Sequence, residues 1–289
     1  MYPLIHAITI SRVWNFIKVT CSYYISRIFG KTFHAGMPIS VAVEPTTSCN
    51  LRCPECPSGL HSFTRPEGKI DVEKFKMYID QLKSYVFYLT LYFQGEPYLH
   101  PGLIEMIKYS RKNRIYTATS TNAHFLDPEM AEETVKSGLN RLIVSMDGTD
   151  QKAYSSYRIA GDFNKVLEGI SNVSFWKKKL NSKTPFLELQ FLVLRSNEHQ
   201  VDEIKRLGKS LGVDKVTLKT AQVYDLDHGE SLIPQNEKYS RYKKNVNGKY
   251  SIKNKIPDYC WRMWSSTVIT WDGRIVPCCF DKDADHQLG

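Results

Sequence analysis

The chain has 289 residues, 42% of them hydrophobic and 24% charged, with a formal net charge of +9. This is the composition of a globular protein large enough to bury a core without covalent staples. Seven cysteines, three of them packed into eight residues, do not read as a secreted disulfide framework and point instead to a reducing, cytoplasmic compartment.

No acidic residue precedes Glu44. Ile10, Trp14, Ile17, Cys21, Tyr24 and Ile28 recur at three- and four-residue steps, one stripe of a helix. Arg12, Lys18 and Arg27 interrupt the apolar run, so a span of ~20 apolar residues does not fit. The basic start and small-residue cleavage site of a signal peptide are missing. Residues 1–34 thus form an N-terminal amphipathic helix. Its stripe is expected to dock on the protein's own core or on a second copy, with Cys21 as a small buried hydrophobe. Peripheral contact of residues 8–29 with a membrane surface is the alternative.

From residue 39 onward, short β-branched runs alternate with helical patterns. Strands are expected at 39–43, 88–93, 115–120, 141–146, 187–194 and 216–219. Helices are expected at 72–85, 103–113, 129–137, 164–179 and 201–211. Asp127 and Pro128 open one helix as N-cap and first residue, Gly138 closes the same helix, and Gly212 closes the last one. Six βα repeats imply a parallel sheet under covering helices, and six rather than eight imply an incomplete barrel with a lateral opening. Chemistry in such folds gathers where the strands end. Residues 226–255 break the alternation and read as a basic linker. Residues 241–255 hold six basic residues and no acid, and 176–183 hold four more. Both runs read as solvated surface rather than a nucleic-acid interface, since no aromatic-rich basic motif accompanies them. Residues 267–271 and 274–277 flank Asp272-Gly273 and read as a hairpin of a different architecture from the barrel.

Cys49, Cys53 and Cys56 follow the first strand directly, in a loop kept open by Asn50, Pro54 and Pro57. A structural zinc site takes four ligands, and no histidine stands at finger spacing. A [4Fe–4S] cluster has four iron corners, so three thiolates leave one iron open to a chelating small molecule. The stretch CNLRCPEC, a CxxxCxxC loop after the first strand of a βα barrel, resembles the radical S-adenosylmethionine (radical SAM) superfamily. The resemblance implies that the open iron chelates SAM. Electron transfer then yields methionine and a 5′-deoxyadenosyl radical that abstracts hydrogen from the substrate.

Gln94-Gly95-Glu96-Pro97 resembles the family's GGEP motif, with Gln94 replacing the first glycine. Gly95 and Glu96 would hold the methionine ammonium of SAM. Thr121-Asn122-Ala123 resembles the TNG stretch, and Ser145-Met146-Asp147-Gly148 the SxDG stretch. Asn122 and Ser145 are thereby candidates for SAM contact, and Asp147 for shaping the turn. Arg158, in a segment with Tyr157, Gly161 and Phe163, would pair with the SAM carboxylate. Leu192 and Leu194 would flank the adenine, and Tyr92 and Phe93 carry the same question. No catalytic base is assigned; Lys219, Gln222, Tyr224 and Asp225 are candidates for lining the cavity.

Cys260, Gly273 and Cys278 form a C-x12-G-x4-C pattern similar to the opening of the SPASM or twitch extension of radical SAM enzymes. That implies a second [4Fe–4S] cluster, with Cys260 and Cys278 as its first ligands and Cys279 as an extra thiol. The pattern stops at Gly289, so this segment is expected to be truncated and does not separate SPASM from twitch.

The expected architecture is therefore α/β: a partial (βα)6 TIM-like barrel at 35–225, preceded by the N-terminal helix. A small hairpin-containing auxiliary-cluster domain at 256–289 follows the linker. The expected function is reductive SAM cleavage by a radical enzyme of the oxidoreductase class acting on a peptide or protein, with flavodoxin or ferredoxin as reductant. The alternatives are a radical SAM dehydrogenase of a small molecule and a non-enzymatic Fe–S binding or electron-transfer protein.

Overall fold

The computed structural model describes residues 2–223, 229–254 and 257–289. Helices α1 (Tyr2–Ile5) and α2 (Ile10–Phe29) precede β1 (Ser40–Val43). Then α3 (Pro57–Leu60) and α4 (Val72–Leu82) lead to β2 (Tyr88–Leu91), and α5 (Leu103–Lys112) to β3 (Tyr116–Thr121). Helix α6 (Pro128–Lys136) leads to β4 (Arg141–Ser145), and α7 (Gln151–Tyr157) with α8 (Phe163–Lys179) to β5 (Phe186–Val193). Helix α9 (Val201–Ser210) leads to β6 (Lys215–Thr220), followed by β7 (Tyr242–Lys244) and β8 (Tyr250–Ile252). Helix α10 (Trp261–Ser265), β9 (Ser266–Ile269) and β10 (Ile275–Val276) complete the chain.

Strands β1 to β6 pair in parallel with their sequence neighbours, as expected for an incomplete (βα)6 barrel. Val41, Val43, Leu89 and Leu91 alternate with less buried residues. They share one core cluster with Phe75 and Ile79 of α4 and Met106 and Ile107 of α5. This is the period-2 pattern of strands whose one face carries helices. Asp127 caps α6 by accepting from the Met130 amide, with Pro128 next, so the start signal read from sequence operates as expected.

The C-terminal hairpin is not a separate architecture. Strand β9 pairs in parallel with β1, β10 pairs antiparallel with β9, and the sheet has eight strands in the order β10-β9-β1-β2-β3-β4-β5-β6. The physical reason is the open edge of an incomplete barrel. Strand β1 presents unpaired backbone groups there, and β9 satisfies them. A buried ion pair fixes the joint. Arg65 donates from both Nη atoms to the Glu44 carboxylate at 2.9 and 2.6 Å, and from Nε to the Lys282 carbonyl at 2.7 Å. The Trp271 amide also donates to Glu44.

Two further expectations are corrected. The basic stretch is not a structureless linker, because β7 and β8 form a hairpin across Asn247-Gly248. The Asn-Gly dipeptide was the available signal, and the Tyr242 hydroxyl anchors the hairpin to the backbone of Val223. Helix α2 does dock, but by the face opposite the apolar stripe: Arg12, Asn15, Val19, Ser22 and Tyr23 are buried. The Arg12 guanidinium donates to the carbonyls of Ala7, Lys83, Asn113 and Arg114, across the C-terminal ends of α4 and α5. Trp264 of α10 donates to Ser22 and packs edge-on against Tyr23. The stripe and Cys21 therefore face outward. Among the described residues no helix is long and apolar enough to cross a membrane.

Arg65→Met leaves the Glu44 carboxylate buried without its cation. Equilibrium denaturation is expected to show a loss of about 3–5 kcal/mol, with part restored in Arg65→Met/Glu44→Gln. An unchanged midpoint in the single variant would show that the pair does not hold the hairpin to the sheet.

Candidate functional site

The loops that follow the parallel strands surround a cavity of about 350 Å³. Cys49, Cys53 and Cys56 line it from the loop after β1, and Gln94, Gly95 and Glu96 from the loop after β2. Thr121 and Asn122 line it from the end of β3, Ser145 from the end of β4, and Tyr157 and Arg158 from the end of α7. Most of the candidates for SAM contact thus converge here, whereas Asp147, Leu192 and Leu194 stand just behind the wall and Cys260 and Cys278 do not line the cavity. Asp147 is buried; it pairs with Arg158 Nε at 2.6 Å and accepts the Leu192 amide at 2.7 Å. Leu192 and Leu194 pack with Leu51, Cys53 and Tyr157 in an apolar cluster behind the cysteines. Tyr92 and Phe93 also line the cavity.

The loops are held to one another by backbone approach and by one carboxylate. Gly95 has φ +72, and a Cβ there would lie 2.3 Å from the Thr46 carbonyl, so both the conformation and the space call for glycine. The Glu96 amide donates to the Ser48 carbonyl at 2.8 Å, and the Gly95 amide to the Ser58 hydroxyl at 2.8 Å. The Glu96 side chain accepts from the Thr121 hydroxyl and the Asn122 amide, both at 2.7 Å, and from the Tyr98 amide at 3.1 Å. Burial pushes its carboxyl up to about 7, against those three donors, which favour the ionised form. Asn122 donates to Asn50 at 2.7 Å, and the Arg52 amide to the Ile159 carbonyl at 2.9 Å, so the cysteine loop is tied on both sides.

Burial also governs the thiols. It pushes Cys49 up to about 11 and raises Cys53 despite the Arg158 guanidinium, whose Nη1 lies 3.8 Å from the Cys53 sulfur. Unligated, Cys49 and Cys53 stay protonated at neutral pH, and taking up a metal group releases those protons. Among the described residues no three His, Cys, Asp or Glu side chains converge on a single metal ion. The donor set nevertheless fits an iron–sulfur group: three free, soft thiols face one cavity, backed by an apolar wall that limits solvent.

Cys260 precedes α10 and is exposed, and Cys278 follows β10 and is half-buried. Cys279, with Phe280 and Lys282, lines the cavity itself. Sequence reasoning missed this, because only the pairing of β9 with β1 brings the C-terminal segment to the cysteines. Gln222 lines the cavity, whereas Lys219 lies on β6 and is exposed; Tyr224 and Asp225 lie outside the described residues. Gly95→Ala is expected to lower the iron and sulfide retained after anaerobic reconstitution by at least about half, with a drop in thermal midpoint, since the strain falls on the loop facing the thiols. Full metal content in that variant would contradict this role.

A profile described as the radical SAM superfamily matches residues 43–174, and one described as the SPASM iron–sulfur cluster-binding domain matches residues 260–289. The chain is 27% identical over 251 residues to the tungsten-containing aldehyde ferredoxin oxidoreductase cofactor-modifying protein of Pyrococcus furiosus, covering 82% of this chain and 69% of that protein. It is 25% identical over 262 residues to the PqqA peptide cyclase of Bradyrhizobium diazoefficiens, covering 84% and 67%. Among solved structures, Streptococcus suis SuiB bound to S-adenosylmethionine superposes with a TM-score of 0.62 at 13% identity, covering 90% of this chain and 64% of SuiB. A barrel of this kind, with its cysteine loop after β1, thus comes with a matching SAM-domain profile and a matching cluster-binding segment. Residues 43–174 thus match a radical SAM domain, which implies an enzyme with a [4Fe–4S] cluster and S-adenosylmethionine, and residues 260–289 match a SPASM segment, which implies a further iron–sulfur cluster.

Proposed function

We propose that this enzyme cleaves S-adenosylmethionine reductively and removes a hydrogen atom from a peptide or protein. The single observation that carries this reading is the shared cavity of Cys49, Cys53, Cys56, Glu96, Asn122, Ser145 and Arg158. On this reading the three thiolates hold the [4Fe–4S] cluster and leave one iron for SAM. When bound, the cluster would pass one electron from the reductant to SAM, supplying methionine and a 5′-deoxyadenosyl radical for hydrogen abstraction.

The chain's own residues bind, orient and exclude water. Glu96 offers the methionine ammonium a charge-assisted acceptor beside the Gly95 backbone. Arg158 is fixed through Nε by Asp147, which leaves its Nη atoms for the methionine carboxylate. Asn122 and Ser145 supply polar contacts to the methionine and ribose. Leu192, through the apolar cluster behind Cys53, keeps water from the reacting end. Residues 35–225 form the SAM-cleaving core and 256–289 the auxiliary-cluster segment, with Cys260 and Cys278 as ligands. The reductant is a low-potential carrier such as flavodoxin or ferredoxin, and the compartment is the cytoplasm.

A peptide substrate is favoured by the similarity to a peptide cyclase. The cofactor-modifying relative favours a second reading, action on a small molecule such as a cofactor. Both readings place the enzyme among oxidoreductases.

Anaerobically reconstituted protein given dithionite and SAM is expected to form 5′-deoxyadenosine, and Cys53→Ala to abolish it. A fully loaded protein that forms none would end the proposal. The Glu96 carboxyl must ionise before it can pair with an ammonium. With its pKa held at about 7, SAM affinity is therefore expected to rise with pH through about 7, and Glu96→Gln to flatten that rise. Calorimetric titration with SAM measures the slope; an equal slope in both proteins would remove Glu96 from this role.

A further inference from the structure

The outward face of α1 and α2 is an apolar feature that the catalytic reading does not use. Ile10 is 92% exposed, Ile28 75% and Trp14 59%. Ile5, Ile8, Val13 and Ile17 continue the surface around them. Ile8, Ile10, Val13, Trp14 and Ile17 line a shallow concavity of about 380 Å³. A soluble surface seldom leaves an apolar area of this kind without a partner. The helix cannot turn this face inward, because Arg12 and Asn15 already fix the opposite face: Arg12 by its carbonyl contacts, Asn15 by a paired hydrogen bond to the Met37 backbone.

Charge selects the occupant. Lys18, Arg27 and Lys31 are exposed along this region, and residues 1–43 contain no aspartate or glutamate. A second copy of the chain would bring these cations together with no acid on the face to pair them, which disfavours a symmetric dimer. A cavity of about 590 Å³ at the same end of the barrel adjoins His6; Arg111, Arg141, Lys183 and Lys215 line it against the single acid Glu188. Apolar aromatic surface, flanking cations and absent acids are together the chemistry of a helix lying in the interface of an anionic bilayer.

We propose that the α1–α2 face seats the protein on the surface of a membrane containing anionic lipid. The helix lies flat and inserts Ile10, Trp14, Ile17 and Ile28, without crossing. Arg12 contacts Lys83 and Arg114, which precede β2 and β3, whereas the cysteine cavity lies where the strands end. The bilayer and the cavity therefore lie at opposite ends of the barrel, and substrate reaches the cysteines from the aqueous side.

The test is flotation of the reconstituted full chain with vesicles of phosphatidylcholine alone or mixed with phosphatidylglycerol. Binding is expected to the mixed vesicles, weakened by high salt. Ile10→Glu/Trp14→Glu, both exposed positions, is expected to bind about tenfold or more weakly with unchanged circular dichroism. Lys18→Gln/Lys31→Gln is expected to lose much of the salt-sensitive part. Three outcomes would overturn the proposal: no binding to the mixed vesicles, equal binding by the Ile10/Trp14 variant, or a lipid-independent dimer in light scattering that Trp14→Glu dissociates.

Discussion

Everything at the cavity depends on one carboxylate that binds two loops at once. Parallel strands end at a common edge but are joined only through long crossovers, so their terminal loops have no covalent reason to keep a fixed spacing. Glu96, on the loop after β2, accepts from Thr121 and Asn122 at the end of β3, and its own amide donates to the residue before Cys49. The Asp147–Arg158 pair repeats the device between β4 and α7, and the second Asp147 oxygen reaches β5 through the Leu192 amide. Loops tied in this way can hold thiols in place while burial works against the charge of Cys49 and Cys53.

The βα core was legible in sequence because its signals are local. Period-2 apolar runs, N-caps such as Asp127 and the cysteine loop after β1 each act within a few residues. The parts that were not legible are long-range or two-sided. Nothing in residues 266–276 says that they pair with β1; the pairing follows from the open edge of an incomplete barrel, more than two hundred residues earlier in the chain. As a result Cys279, Phe280 and Lys282 were unforeseen at the cavity. Asn247-Gly248 did carry a local turn signal, and the high charge of its flanks hid it.

Helix α2 shows a different limit. Apolar periodicity was taken to mark the buried face, but here the polar face is the buried one. Arg12 can be buried because its donors meet the carbonyls left over at two helix ends, the groups that most need a cation. Hydrophobic patterning alone does not reveal such compensation, since the matching acceptors lie on α4 and α5. The same arrangement that secures the helix leaves its apolar stripe to meet something outside the chain.

The central claim is that three protein thiolates leave one iron of the cluster for the SAM amino and carboxylate groups, guided by Glu96 and Arg158. Mössbauer spectra of protein reconstituted with iron-57 test this most directly. The account predicts that SAM changes the signal of one iron of four and leaves the other three nearly as they were. Four irons indifferent to SAM, or a site that fills with zinc instead, would contradict it.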